Sequence, residues 1–180
     1  DTRSEYKVEE AYWVMAAEFA DSAGVDVINS SLGYNLFHDS LMNYSISDLT
    51  GNKSLSTIAA DKAFEKGMLV IISAGNSGNS TWQKVTPPAD GKNVLAVGAV
   101  DTSGMIAAFS SLGPTADDRI KPDVVAVGFK TAVVNSFGNV SIGFGTSYAS
   151  PQIAGMAACL WQANPEKTNL VLELSDFRAG

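Results

Sequence analysis

Several residue types that carry common chemistries are scarce in this chain of 180 residues. Cys159 is the only cysteine, so no disulfide can form within the chain, and its alanine and leucine neighbours predict a small buried apolar side chain. His38 is the only histidine. No apolar run is long enough to span a membrane, and a net charge of −7 argues against a nucleic-acid-binding surface. We therefore expect an acidic soluble protein that binds neither nucleic acid nor membrane.

Helical and extended patterns alternate along the chain. A helix is expected over 5–23, with Val8, Tyr12, Met15 and Phe19 forming one apolar stripe. Apolar runs predict strands at 25–30, 68–74, 94–100 and 123–127. A second helix is expected at 56–66, a polar loop at 34–54, and a hairpin formed by 131–134 and 140–142. Because long apolar strands suit a sheet buried on both faces, this order predicts an α/β domain with a parallel sheet.

Residues 145–155 are the most informative segment, with the sequence Gly-Thr-Ser-Tyr-Ala-Ser-Pro-Gln-Ile-Ala-Gly. It places Ser147 between a glycine bend and a helix with apolar positions Ile153, Met156, Ala157, Leu160 and Trp161. Pro151 is expected in the opening turn, where its missing N–H costs no helical bond. By itself Ser147 could be a helix N-cap, but unpaired N–H groups there would also stabilise negative charge beside a nucleophile.

The whole segment closely resembles the nucleophile segment of the subtilisin-like serine peptidases. That family shows Gly-Thr-Ser-x-Ala-Ser-Pro, two variable positions, then Ala-Gly, and this chain departs only at Gln152, where histidine is usual. The resemblance implies a layered α/β fold with a parallel sheet. It also implies peptide-bond hydrolysis through an acyl-enzyme at Ser147, with a polypeptide as substrate.

Two further segments strengthen the resemblance. Residues 73–78, Ser-Ala-Gly-Asn-Ser-Gly, resemble the family's oxyanion-hole segment, although Asn76 alone would read as part of a turn. The resemblance implies that the Asn76 amide, with the Ser147 N–H, stabilises the oxyanion. Residues 31–33 resemble the segment that pairs with the substrate backbone. Substrate contacts are accordingly implied for Ser31, Leu32, Gly33, Ala74 and Gly75.

Weaker implications follow from the rest of the chain. Similar segments include 86–89, where Pro88 is expected to be cis, and 121–128, where Val127 replaces the family's usual proline. Calcium is frequent in the family, and the loop over 39–52 has oxygen-bearing side chains, but no metal-ligand spacing appears there. Family resemblance further implies a secreted or cell-envelope location.

The family's catalytic aspartate and histidine have no counterpart in the expected place. Both precede the serine in the family, yet nothing ahead of Ser31 matches their motifs, and His38 follows the Ser-Leu-Gly segment. We interpret His38 as an exposed loop residue. Residues 1–180 are therefore predicted to be the later portion of one catalytic domain without its front strands. We expect such a chain to be inactive alone and to self-associate through an unpaired sheet edge.

A second interpretation is a non-catalytic, subtilase-derived module that binds extended peptides. An α/β-hydrolase is disfavoured because that fold needs a histidine after its serine, and none follows Ser147.

Overall fold

The computed structural model describes residues 4–163, and its elements follow the predicted order. They are α1 (Val8–Ser22), β1 (Val27–Ser30), α2 (Leu55–Glu65), β2 (Leu69–Ser73), β3 (Leu95–Val100), β4 (Val124–Val127), β5 (Phe129–Val134), β6 (Val140–Phe144) and α3 (Thr146–Ala163). The polar loop predicted at 34–54 contains two single 3₁₀ turns, Ser40–Met42 and Ile46–Asp48. Within this part of the chain no helix has the length and hydrophobicity needed to cross a membrane.

A parallel sheet with the order β1-β2-β3-β4 forms the centre of the fold. Every residue of β2 and β3 is buried, which explains why these two strands are continuous apolar runs. On its other side β1 has no neighbouring strand within residues 4–163, so it is an edge of this sheet. The antiparallel pair β5–β6 is a separate hairpin. The predicted α/β class is confirmed.

Helices cover both faces of the sheet. Helix α3 packs on one face against Leu69, Ile71 and Val97, whereas α1 and α2 pack on the other against Val70 and Ile72. The chain enters α3 after Gly145, whose N–H donates to the Gly128 carbonyl just beyond β4 (2.8 Å). The amino end of α3 consequently lies at the carboxyl end of the sheet, where parallel α/β sheets hold their sites.

The apolar stripe predicted on α1 faces solvent instead of the core. Its side chains are between 51% (Val8) and 74% (Phe19) exposed. The buried positions of the helix are Glu10, Trp13 and Ala17. Glu10 can be buried because Tyr44, Ser54 and Ser56 donate hydrogen bonds to its carboxylate and Lys7 pairs with it. Helix α1 thus carries an uncovered apolar face.

Three predictions about α3 also differ from the structure. Ile153, Ala157 and Trp161 are buried, but Met156 and Leu160 are exposed, because the helix packs on the sheet along one narrow face. Cys159 is exposed, so the prediction of a buried thiol is wrong. Pro151 is the sixth residue of the helix and not part of its opening turn. Its missing N–H therefore does remove a helical hydrogen bond.

Candidate active site

Ser147 is the second residue of α3 and is half-buried at the carboxyl end of the sheet. Neither its hydroxyl nor its backbone N–H has a hydrogen-bond partner among residues 4–163. The first N–H groups of a helix cannot bond within the helix, and they carry the positive end of its dipole. This serine therefore combines a free hydroxyl with a free N–H donor beside it.

Asn76 lies next to the same turn, held by the residue before Ser147. The backbone N–H of Thr146 donates to Asn76 Oδ1 (2.8 Å), and the Thr146 hydroxyl approaches the same oxygen (3.1 Å). A backbone N–H can only donate, so the facing atom must be the amide oxygen, and Nδ2 points elsewhere. A Cβ built on Gly145 would stand 3.6 Å from Asn76 Nδ2 and 3.7 Å from the Ser147 nitrogen. The same point is 3.7 Å from Asn76 Oδ1, so the Asn76 amide and the Ser147 nitrogen lie close together at the turn that precedes Ser147.

Thr146 connects the nucleophile turn to the strand end after β2. Its side chain is fully buried, and its hydroxyl oxygen accepts a hydrogen bond from the Gly75 N–H (3.2 Å). Sequence reasoning did not assign Thr146 a role. Its place between Gly145 and Ser147 in the motif was the available signal.

The segment 31–33 leaves β1 beside Ser147. The Ser31 hydroxyl donates to the Ser147 carbonyl (3.1 Å), while Leu32 is exposed. The backbone N–H groups of residues 31–33 have no acceptor among residues 4–163, and the next N–H, that of Tyr34, donates to the Pro87 carbonyl (2.8 Å). An extended peptide could therefore reach free backbone donors along this segment.

A threonine separates this segment from the one after β2. A Cβ on Gly33 would collide with Thr86 Oγ1, and a Cβ on Gly75 would lie 2.9 Å from the same oxygen. Ala74, before Gly75, is completely buried. Thr86 therefore lies between the two predicted walls of the substrate pocket, a position that sequence reasoning did not identify. The Pro87–Pro88 peptide bond nearby is cis, as expected.

The chain's histidine belongs to another part of the surface. His38 is exposed, its ring lies 5.3 Å from that of Tyr6, and its backbone N–H donates to the Glu5 carbonyl. These contacts attach it to the segment that precedes α1. Residues 4–163 therefore bring no imidazole to Ser147.

The loop over 39–52 uses its acidic side chains for its own turns. Asp39 accepts a hydrogen bond from the Leu41 N–H (3.0 Å), and Asp48 accepts one from the Ser45 N–H (2.8 Å). Hydrogen bonds from the Ser45 hydroxyl and backbone lower the pKa of Asp48. Among residues 4–163 no group of three or more His, Cys, Asp or Glu side chains could hold a metal ion. The geometry adds no support to the calcium expectation, which stays a prediction.

Comparison with known proteins identifies the family. The model of the subtilase family, Peptidase_S8, matches residues 3–175. This chain belongs to the subtilase family. It is 37% identical to Subtilisin DY of Bacillus licheniformis over 153 residues, which cover 84% of the chain and 48% of the relative. The thermophilic serine proteinase of Bacillus sp. strain AK1 is 38% identical over 142 residues, covering 79% of the chain and 29% of the relative.

Solved structures agree with this assignment. Sphericase superposes with a TM-score of 0.69 at 28% identity, over 95% of the chain and 55% of sphericase. The subtilase fold of the chain therefore has a direct structural counterpart. The chain spans about half the length of Subtilisin DY and of sphericase, and less of several other relatives.

Proposed function

We propose that the chain supplies the nucleophile and the oxyanion donors of a subtilisin-type serine endopeptidase. The single observation that carries the proposal is that the Asn76 amide and the unpaired Ser147 N–H lie close together at the turn that bears the free Ser147 hydroxyl. Donors fixed in advance around a developing negative charge are the usual means of stabilising a tetrahedral intermediate.

The reaction uses these groups in order. Ser147 Oγ attacks the peptide carbonyl, its proton passes to a base, and the carbonyl oxygen becomes an oxyanion held by Asn76 Nδ2 and the Ser147 N–H. The intermediate collapses to an acyl-serine as the protonated amine leaves, and water then releases the acyl group. The substrate backbone pairs with residues 31–33, while Ala74 and Gly75 wall the pocket for the residue before the scissile bond.

The chain alone should be inactive because residues 4–163 place no histidine beside Ser147 to act as the base for this step. A serine hydroxyl is a weak nucleophile at neutral pH without an adjacent base. In subtilisin, loss of the catalytic histidine alone lowers kcat by about 10⁶. The aspartate and histidine must therefore come from polypeptide other than residues 4–163. The alternative function, a module that binds extended peptides without cleaving them, uses the same free backbone of residues 31–33.

The experiment is chemical rescue of the chain with free imidazole. A fluorophosphonate is added with and without imidazole, and the labelled residue is mapped by mass spectrometry, with Ser147→Ala as the blank. We expect labelling at Ser147 that rises with imidazole, and slower labelling in Asn76→Ala by roughly 10²- to 10³-fold, the range for an oxyanion donor. Labelling at another residue, or none with imidazole present, would contradict the nucleophile and favour the binding module.

Two finer proposals concern partners and location. A cavity of about 410 Å³ lies between α1 and β1, and Tyr12 of the exposed stripe and Ile28 of β1 are among the residues that line it. We propose that two copies of the chain associate through this surface. An extracellular location is supported by a 32% identical relative of Bacillus subtilis strain 168 named minor extracellular protease Epr.

A further inference from the structure

The proline in α3 leaves a gap in the hydrogen bonds of the nucleophile turn. In an α-helix the N–H of each residue donates to the carbonyl four residues earlier, and the carbonyl four residues before Pro151 is that of Ser147. Proline has no N–H, so this carbonyl lacks its helical donor. The gap falls on the residue that bears the proposed nucleophile.

A hydroxyl from a distant strand end fills that gap. Ser31 Oγ, 116 positions away in the sequence, donates to the Ser147 carbonyl at 3.1 Å in a part-buried environment. Helices bend where proline interrupts the ladder, and freed carbonyls need another donor when water is excluded. Ser31 supplies that donor from the end of β1.

We propose that Ser31 is a positioning residue for Ser147, acting through its side chain in addition to the backbone role proposed for residues 31–33. The hydroxyl orients the peptide plane between Ser147 and Tyr148 and thereby restrains the backbone of the residue that carries Oγ. This inference rests on the proposed function, because it concerns the same nucleophile.

The same helical turn offers a matched control. Ser150 Oγ donates to Asn29 Oδ1 at 2.7 Å, so it too joins α3 to β1 through a buried hydroxyl. It does not contact the Ser147 carbonyl. Ser150→Ala therefore removes a hydrogen bond between α3 and Asn29 of β1. It keeps the hydrogen bond from the Ser31 hydroxyl to the Ser147 carbonyl.

A double-mutant cycle tests the inference. In Pro151→Ala the restored N–H can donate to the Ser147 carbonyl, which makes the Ser31 hydroxyl dispensable. The readout is Ser147 labelling by the fluorophosphonate in the presence of imidazole, with the maximal rate separated from the half-saturating reagent concentration. Ser31→Ala should lower the maximal rate about two- to tenfold, the range for one net hydrogen bond, and leave the half-saturating concentration unchanged. Ser150→Ala should label at close to the original rate, and Ser31→Ala should lower the maximal rate less in the Pro151→Ala background than in the original chain.

Amide hydrogen exchange of residues 152–155, whose N–H groups donate within α3, provides a second readout that does not need reactivity. We expect faster exchange in Ser31→Ala and a return to the original rate in the double variant. An unaltered labelling rate and exchange in Ser31→Ala, or an equal loss in the single and double variants, would overturn the inference. Absence of labelling in the unaltered chain would contradict the proposed nucleophile instead, and hydrogen exchange would then decide the role of Ser31.

Discussion

Gln152 Nε2 donates a hydrogen bond to the Val127 carbonyl at 2.6 Å. These are two of the positions at which the sequence departs from the subtilisin pattern, and the structure places them in contact. The same Nε2 also donates to the Tyr148 carbonyl (2.7 Å), so the glutamine joins the end of β4 to the first turn of α3. The two departures are therefore structurally linked.

Gln152→Ala should lower the free energy of unfolding by about 0.5–1.5 kcal/mol, since one net hydrogen bond between the strand end and the helix is lost. Urea denaturation followed by circular dichroism measures the change. Gln162→Ala, an exposed glutamine of the same helix, is the matched control and should leave the midpoint nearly unchanged. Equal effects of the two substitutions would show that the Val127 contact contributes nothing.

Lys121→Met should be among the most damaging single changes in the described chain. Lys121 Nζ lies 2.7 Å from Asp123 Oδ2, with both side chains almost completely buried. Removing one partner of a buried ion pair leaves the other charge uncompensated, at a cost of about 3–5 kcal/mol. Denaturant unfolding provides the measurement. Lys62→Met, which breaks the exposed pair with Glu65, should have little effect. A small loss for both would contradict the prediction.

Stability should fall in acid partly through Glu10. Burial alone raises the pKa of Glu10, but hydrogen bonds from Ser54, Lys7 and Tyr44 outweigh it and hold this pKa below its usual 4.5. A carboxyl with a lower pKa in the folded state stabilises the fold above the unfolded pKa. That contribution is lost as the pH falls through the folded pKa. The free energy of unfolding should therefore decrease below about pH 5.

The variants Glu10→Gln and Glu18→Gln separate this effect from general acid sensitivity. Glu10→Gln should be less stable at pH 7 and show a flatter decline below pH 5, whereas the exposed Glu18→Gln should follow the original curve. Asp90 acts in the opposite direction, because burial raises its pKa and its contribution is lost as the pH rises. Identical slopes for the original chain and Glu10→Gln would rule out a role for Glu10.

Self-association should depend on the exposed face of α1. The triple substitution Tyr12→Lys/Met15→Lys/Phe19→Lys places three charges on that face and should shift the chain towards monomer in sedimentation velocity. Ile120→Lys and Phe137→Lys, at exposed apolar positions outside the stripe, are controls and should sediment like the original chain. A chain that is already monomeric at micromolar concentration would contradict the proposed association.

Prediction from sequence succeeded where local pattern and packing agree. Strands β2 and β3 are buried on both faces, so each is a continuous apolar run, the pattern typical of a central strand in a parallel sheet. The motif around Ser147 led to the correct family because its length makes chance agreement improbable. The geometry then brought Ser147 and Asn76 together through Thr146.

The errors arose where burial depends on distant residues. The apolar stripe of α1 predicts an inward face, but the helix buries Glu10 with partners that come from beyond residue 43. Cys159 has apolar neighbours in sequence and still points away from the sheet. The Ser31 hydroxyl and Thr86 gain their positions only when strand ends meet, which no local pattern records.

The β5–β6 hairpin is closed at its base by the hydrogen bond from the Gly145 N–H to the Gly128 carbonyl. Its ends are thereby held together independently of its length, and its tip at Phe137 and Gly138 is exposed. A graft at the tip would add chain without changing the path into α3. The hairpin is therefore a natural place to insert an affinity tag or a recognition loop while the neighbouring nucleophile turn keeps its geometry.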